Sequence, residues 1–362
     1  MLRSGQAQNN RFRRDAWLEV NLANLEFNIN ALYQEFQKPL IPVIKADAYG
    51  HGANVFVELL DSYDFIYAYA VASIDEALAI REISSSKIMV LGITPVWALE
   101  AAIANDIDIT IAELKTAQEA DLLAQKLGKK AKIHLKLDTG MNRIGLKEAS
   151  SGFLTLKNVD IETVFTHMAD PSNKEFLLEQ EKEFFDLVNG FAFEQRPKVH
   201  TGSSIAARHL KSENFDLLRV GIELYGLENP KLKPLLSLYA RVSFLKNIKA
   251  GESVSYSRTW FAKRDSKIAT LPLGYADGLH RLMSNKIEAC FQGEFIKQVG
   301  TITMDQVMFD LTDLKADINV GDTVELLGEN ISIEKWAQAA NTISYEIATA
   351  LNLRLPKTYT RK

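Results

Sequence analysis

Eight short apolar runs recur through the first two-thirds of this 362-residue chain, at 41–46, 65–71, 88–91, 107–111, 133–137, 161–167, 198–202 and 217–222. Stretches with helical periodicity lie between them, at 22–36, 74–83, 112–127 and 175–190. Strands alternating with helices return by right-handed crossovers and build a parallel sheet. Eight such units predict an α/β fold that begins with a (β/α)8 barrel of TIM type. A doubly wound open sheet is the alternative, but the Gly-x-Gly-x-x-Gly turn it usually carries after the first strand is missing.

After Pro234 the period changes. Leu238, Ala240, Val242 and Phe244 alternate with Tyr239, Arg241 and Ser243, the pattern of a half-buried strand. Turn signals at 250–251, 319–322 and 328–330 separate further short strands. The chain is long for one hydrophobic core, so two domains are expected. Their predicted bounds are a frayed tail over 1–14, a barrel over 15–237 and a mainly β domain over 238–362, with 229–234 as linker.

Composition removes several function classes. A hydrophobic share of 47% with 24% charged residues is that of an ordinary globular protein. A net charge of −4 and a pI near 6.0 give no basic footprint, so nucleic acid is not an expected partner. Cys290 is the only cysteine, which excludes an internal disulfide framework and a cysteine metal cluster; no metal is expected. No apolar stretch approaches the ~18 residues that span a bilayer, and no membrane partner is expected. The basic leader lacks the apolar segment of a secretory signal, so a cytoplasmic location is expected.

Within the barrel, chemistry gathers at the C-terminal ends of strands. Lys45 ends the first predicted strand, Lys136 and Asp138 the fifth, and His167 the sixth; Ser204 follows the seventh and Arg219 lies in the eighth. A lysine leaving a buried strand can lose solvation and become a nucleophile towards an aldehyde. Each residue alone also has an ordinary structural reading, Ser204 for example as a helix N-cap. Their convergence on one barrel face is what favours a site.

The segment VIKADAYGHG at 43–52, which carries Lys45 and Tyr49, resembles the pyridoxal-phosphate lysine motif of the bacterial alanine racemases, fold-type III enzymes. Further blocks follow in that family's order: HLKLDTGMNRIG at 134–145, THMA at 166–169, LRVGIELYG at 218–226, SY at 255–256, LGYADG at 273–278, VGTITMDQ at 299–306 and TISY at 342–345. The resemblance implies a racemase that interconverts L- and D-alanine for peptidoglycan by a two-base mechanism on pyridoxal 5'-phosphate. Lys45 would hold the cofactor and serve one face of the substrate; Tyr275, supplied by the other subunit of a head-to-tail homodimer, would serve the opposite face.

The same resemblance implies that Arg219 faces the pyridine nitrogen, with His167 and His200 packing on the ring or orienting that arginine. Tyr49, Ser204, Tyr345 and the amides of Gly221 and Ile222 would hold the phosphate. Arg143, Met304 and Asp305 would shape the substrate end. Lys136 aligns with a lysine that is carbamylated in some relatives, and Asp138 is as readily structural. Asn142, Ser203, Thr301 and Thr303 depart from residues common in the family, which leaves a serine or broad-specificity racemase as the alternative. A basic amino-acid decarboxylase is disfavoured because Cys290 sits in no catalytic context and no Gly-Gly-Gly loop is present. A non-catalytic pyridoxal-phosphate protein of the same barrel would lack the β domain and its Gly-Tyr-Ala-Asp-Gly block.

Overall fold

The structure, a computed structural model, describes residues 13–210, 212–351 and 354–362. Of the tail expected over 1–14, residues 1–12 lie outside the described residues. The chain divides into two compact units, Glu26–Leu232 and a second made of the residues up to Leu25 together with Lys233–Lys362.

The first unit is the predicted barrel. Its strands are Leu40–Pro42, Tyr69–Val71, Ile88–Ile93, Asp108–Ile111, Ala131–Lys136, Val159–Phe165, Lys198–Gly202 and Leu217–Val220, all parallel and paired in chain order. The last strand returns to the first through Ile41 and Arg219. Isolated bridges Leu40–Ile66 and Val43–Ala70 then join the first strand to the second, which nearly closes the ring. Most of these strands read as continuous apolar runs because both faces are covered, one by helices and one by the barrel interior. Ile41, Val43, Ala68, Ala70, Met89, Phe165 and Leu217 form one buried cluster there, with Tyr49, Tyr67 and Leu91 packed on it.

The predicted helices occur at Leu22–Phe36, Ile74–Arg81, Leu114–Leu127 and Lys174–Gly190. None of the helices, among the described residues, is long and apolar enough to cross a membrane.

The second unit is built on a nine-stranded sheet. Its order is Phe244–Ile248, Ser266–Leu271, Val307–Asp310, Glu294–Gln298, Glu288–Phe291, Thr323–Leu327, Leu236–Arg241, Ala16–Asn21 and Lys357–Thr360. Ala16–Asn21 lies in the stretch where the sequence pattern begins the barrel, yet it pairs antiparallel with Leu236–Arg241 and parallel with Lys357–Thr360. The physical reason is its alternation. Ala16, Leu18 and Val20 are buried while Trp17, Glu19 and Asn21 are not, so the strand has one wet face and suits a half-exposed sheet. Helices Ile333–Ala340 and Ser344–Ala350 pack in the same unit.

Candidate active site

The first barrel strand stops at Pro42, and Lys45 stands at the head of an unusual turn rather than at the strand's end. Ala46, Asp47, Ala48 and Tyr49 all have φ between 51° and 54°, one turn of left-handed helix. Such a conformation costs roughly 1–2 kcal/mol for each residue bearing a Cβ, and strain of this kind persists only where surroundings impose it. Here Glu76 accepts the Ala46 and Ala72 N–H groups at 2.8 and 2.7 Å, Asp47 accepts the Ala53 N–H at 2.9 Å, and the Tyr225 hydroxyl donates to the Val43 carbonyl at 2.7 Å. The Lys45 amine is half-desolvated, and its pKa is lowered by burial first, then by Arg143 and Arg219, against an opposing pull from Glu76.

Arg219 is buried and pinned from several sides. It donates through NH2 to the Thr166 carbonyl at 2.8 Å and to His167 Nδ1 at 3.3 Å, and through NH1 to His200 Nδ1; the Phe165 ring lies 5.0 Å from its guanidinium carbon. Three of the five guanidinium N–H donors are thereby used, and the others are without a partner among the described residues. Burial lowers its pKa to about 9, which leaves it cationic at neutral pH. His167 is pushed down to about 3 by burial and by the surrounding cations, Arg219 foremost. His200 is lowered well below the usual histidine value by complete burial and Arg219. Both rings are neutral acceptors towards the guanidinium.

Lys136 is buried with its amine 2.5 Å from the Leu137 carbonyl and 5.6 Å from the Phe165 ring centre. Burial, then Arg219, lowers its pKa to about 7. Asp138 plays a structural part, because its Oδ1 accepts the Gly140 and Asn142 N–H groups and so shapes the loop that presents Arg143 at the surface. Asn142 adopts φ +54°, a conformation asparagine tolerates better than most residues, so its replacement of the family's frequent glycine keeps the loop geometry. The cap of the helix Ser204–His209 is Ser203, whose hydroxyl accepts the Ala206 N–H, and Ser204 itself is buried at the first turn.

Tyr49 packs against Tyr225 with ring centres 4.7 Å apart. A Cβ at Gly221 would come within 3.4 Å of the Tyr49 hydroxyl, so the Gly221–Ile222 backbone and that hydroxyl line one small space without side-chain bulk. A lysine of lowered pKa heading a strained turn, a cationic donor fork with donors to spare, and a hydroxyl beside a bare glycine backbone are the parts that an aldehyde with a ring nitrogen and a phosphate requires. The barrel residues fit pyridoxal phosphate.

The second unit carries its own cluster. Tyr275 opens a short 3-10 turn, with its N–H on the Thr303 carbonyl at 2.9 Å and the Ala276 N–H on the Met304 carbonyl at 3.1 Å. A Cβ at Gly274 would lie 2.1 Å from the Thr303 oxygen, so glycine is what lets the Tyr275 turn abut Met304. Asp305 accepts from Arg354 at 2.7 Å. Tyr275 and Met304 are 43% and 53% exposed, and Tyr256 and Leu282 are more exposed still, unusual for large apolar side chains. Tyr345 lies on the separate helix Ser344–Ala350.

Sequence patterns alone miss three supports. Glu76 holds the Lys45 turn, the Thr166 carbonyl anchors Arg219, and Gly202 lies where a Cβ would meet both His167 and Arg219. Only Gly202 had a local signal, as a glycine closing an apolar strand.

A family model described as alanine racemase, N-terminal domain, matches residues 20–229, and one described as alanine racemase, C-terminal domain, matches residues 235–359. An alanine racemase of Clostridium novyi is 37% identical over 96% of this chain and 95% of its own length. The solved alanine racemase of Clostridium difficile 630 superposes with a TM-score of 0.92 at 32% identity, covering 97% of both chains. That of Bartonella henselae, a structure with covalently bound pyridoxal phosphate, gives 0.86 at 29% identity over 96% of this chain and 99% of its own. Barrel, lysine turn, buried arginine and matched domains together place this chain in the alanine racemase family.

Proposed function

We propose that this protein interconverts L- and D-alanine with pyridoxal phosphate held at the mouth of the barrel. The observation that carries the reading is the pairing of a desolvated Lys45 of lowered pKa with a buried, donor-rich Arg219. When bound, the cofactor supplies a conjugated ring that makes the α-proton of an attached amino acid acidic.

The protein's residues do the rest. Arg219 donates to the ring nitrogen and, staying cationic, keeps that nitrogen an acceptor. Tyr49 and the Gly221–Ile222 amides hold the phosphate, with Ser204 as a further hydroxyl donor. Lys45, as a neutral amine, takes the α-proton on one face. The partner subunit's Tyr275 returns a proton from its hydroxyl on the opposite face, so one proton leaves, one arrives and the configuration inverts. Arg143 orients the substrate carboxylate together with the partner subunit's Met304 and the partner subunit's Asp305.

A head-to-tail homodimer follows from this assignment, and the exposure of the large apolar side chains Tyr256, Tyr275, Leu282 and Met304 supports it. The product feeds peptidoglycan precursors, and the cytoplasm is the proposed location. Borohydride treatment after loading with pyridoxal phosphate should fix the cofactor on the Lys45 peptide, read by mass spectrometry. Chiral analysis should find D-alanine formed from L-alanine. Label on another lysine, or loading without D-alanine, would contradict the assignment.

A further inference from the structure

Arg219 stands at one end of a buried chain that draws one polar side chain from each of five successive barrel strands. Its NH1 meets His200 Nδ1; His200 Nε2 lies 2.9 Å from Thr163 Oγ1; Thr163 Oγ1 lies 2.7 Å from His134 Nδ1; His134 Nε2 lies 3.2 Å from Asp108 Oδ2. Every linking residue, and Asp108, is at most 1% exposed.

Directions along this chain are dictated by chemistry. A guanidinium only donates, so His200 Nδ1 accepts and the His200 proton sits on Nε2. That proton points at Thr163 Oγ1, which must then turn its own hydrogen to His134 Nδ1. His134 carries its proton on Nε2 and donates it to Asp108. Every donor therefore points away from Arg219 and towards one carboxyl group.

Asp108 is poorly provided for otherwise. Its Oδ1 is buried without a hydrogen-bond partner, and the nearest cation, Lys87, lies 4.0 Å from Oδ2 while its amine bonds Glu162. A buried carboxyl with an unpaired oxygen is costly for stability, and apolar residues would fill a barrel interior more cheaply. Aligned hydrogen bonds in a low-dielectric interior polarise one another.

We propose that Asp108 and Thr163 are positioning residues of the active site, acting through His134 and His200 to fix the orientation and charge distribution of Arg219 where it meets the cofactor ring. This rests on the pyridoxal-phosphate reading of the barrel mouth. The chain transmits direction and polarity, and no proton need travel along it.

The test uses three substitutions in the full-length protein. Asp108→Asn keeps an oxygen for His134 and removes the charge. Thr163→Val keeps the volume and breaks the chain; Thr163→Ser keeps the hydroxyl. Nitrogen-15 NMR of labelled histidines reads the tautomers directly, before any cofactor is added. His134 and His200 should both show a protonated Nε2 and a bare Nδ1 in the parent and in Thr163→Ser. Thr163→Val should alter the His134 and His200 resonances.

In the loaded enzyme, Asp108→Asn and Thr163→Val should each lower kcat about tenfold, change KM for alanine less than twofold and move the cofactor absorbance maximum. Thr163→Ser should stay within twofold of the parent. A protonated Nδ1 on either histidine overturns the proposal, and so does an unchanged kcat and absorbance in Asp108→Asn. If Thr163→Val fails to fold, Asp108→Asn and Thr163→Ser still decide. Absence of racemisation in the parent would defeat the proposed function while the tautomers still report on the chain.

Discussion

A methyl group at Gly202 would stand 2.2 Å from His167 Nδ1, the nitrogen that accepts from Arg219. The close of the seventh barrel strand is thus moulded to the arginine–histidine pair beside it. The Gly202→Ala variant should lose about 1–3 kcal/mol of stability through overpacking. It should also bind pyridoxal phosphate at least tenfold more weakly, because Arg219 is displaced. Thermal melts and a cofactor titration check the two effects.

Arg143 and Glu76 push Lys45 in opposite directions, the cation lowering its pKa and the carboxylate raising it. The rate of cofactor attachment depends on the neutral amine. Arg143→Gln should move the acid limb of that rate profile to higher pH, and Glu76→Gln should move it to lower pH. Glu76→Gln should also cost about 1–3 kcal/mol, since an amide NH2 cannot accept the backbone N–H that one carboxylate oxygen now takes.

His167 has a folded pKa near 3 against an ordinary 6.5. Between those values the unfolded chain binds the extra proton and the folded one does not. The stability due to keeping this ring neutral is fully present above pH 6.5 and is lost as pH falls towards 3. His200 acts in the same sense. Denaturant unfolding of the cofactor-free protein between pH 7 and pH 4.5 should show a falling midpoint, and His167→Asn should flatten that slope.

Lys136, with a pKa near 7, presents an appreciable neutral fraction at neutral pH, the form that reacts with carbon dioxide. Carbamylation should appear as one new carbonyl resonance when the protein is kept with carbon-13 bicarbonate. Lys136→Met should abolish that resonance.

The barrel was readable because eight apolar runs, buried on both faces, leave few other arrangements. Lys45, Arg219 and His167 stood out in the sequence because each ends or occupies such a run. The left-handed turn after Lys45 was not, since Ala46 and Ala48 disfavour positive φ and a lone Asp47 tolerates it only as a single residue; Glu76 and the barrel impose the turn. The links of Asp108, His134, Thr163 and His200 were equally hidden. They lie some 26–37 residues apart in sequence and meet only when neighbouring strands come into register. The alternation in Ala16–Asn21 was present in the sequence as the sign of a half-exposed strand.

The most direct test of the two-base account is proton NMR of alanine in deuterated water with the loaded protein and its Tyr275→Phe variant, followed by chiral analysis. The parent should lose the α-proton signal of L-alanine and yield D-alanine together. Tyr275→Phe should slow D-alanine formation at least a hundredfold while Lys45 still exchanges the α-proton of one enantiomer. D-alanine from the variant at the parent's rate, or no exchange by the parent, would contradict the account.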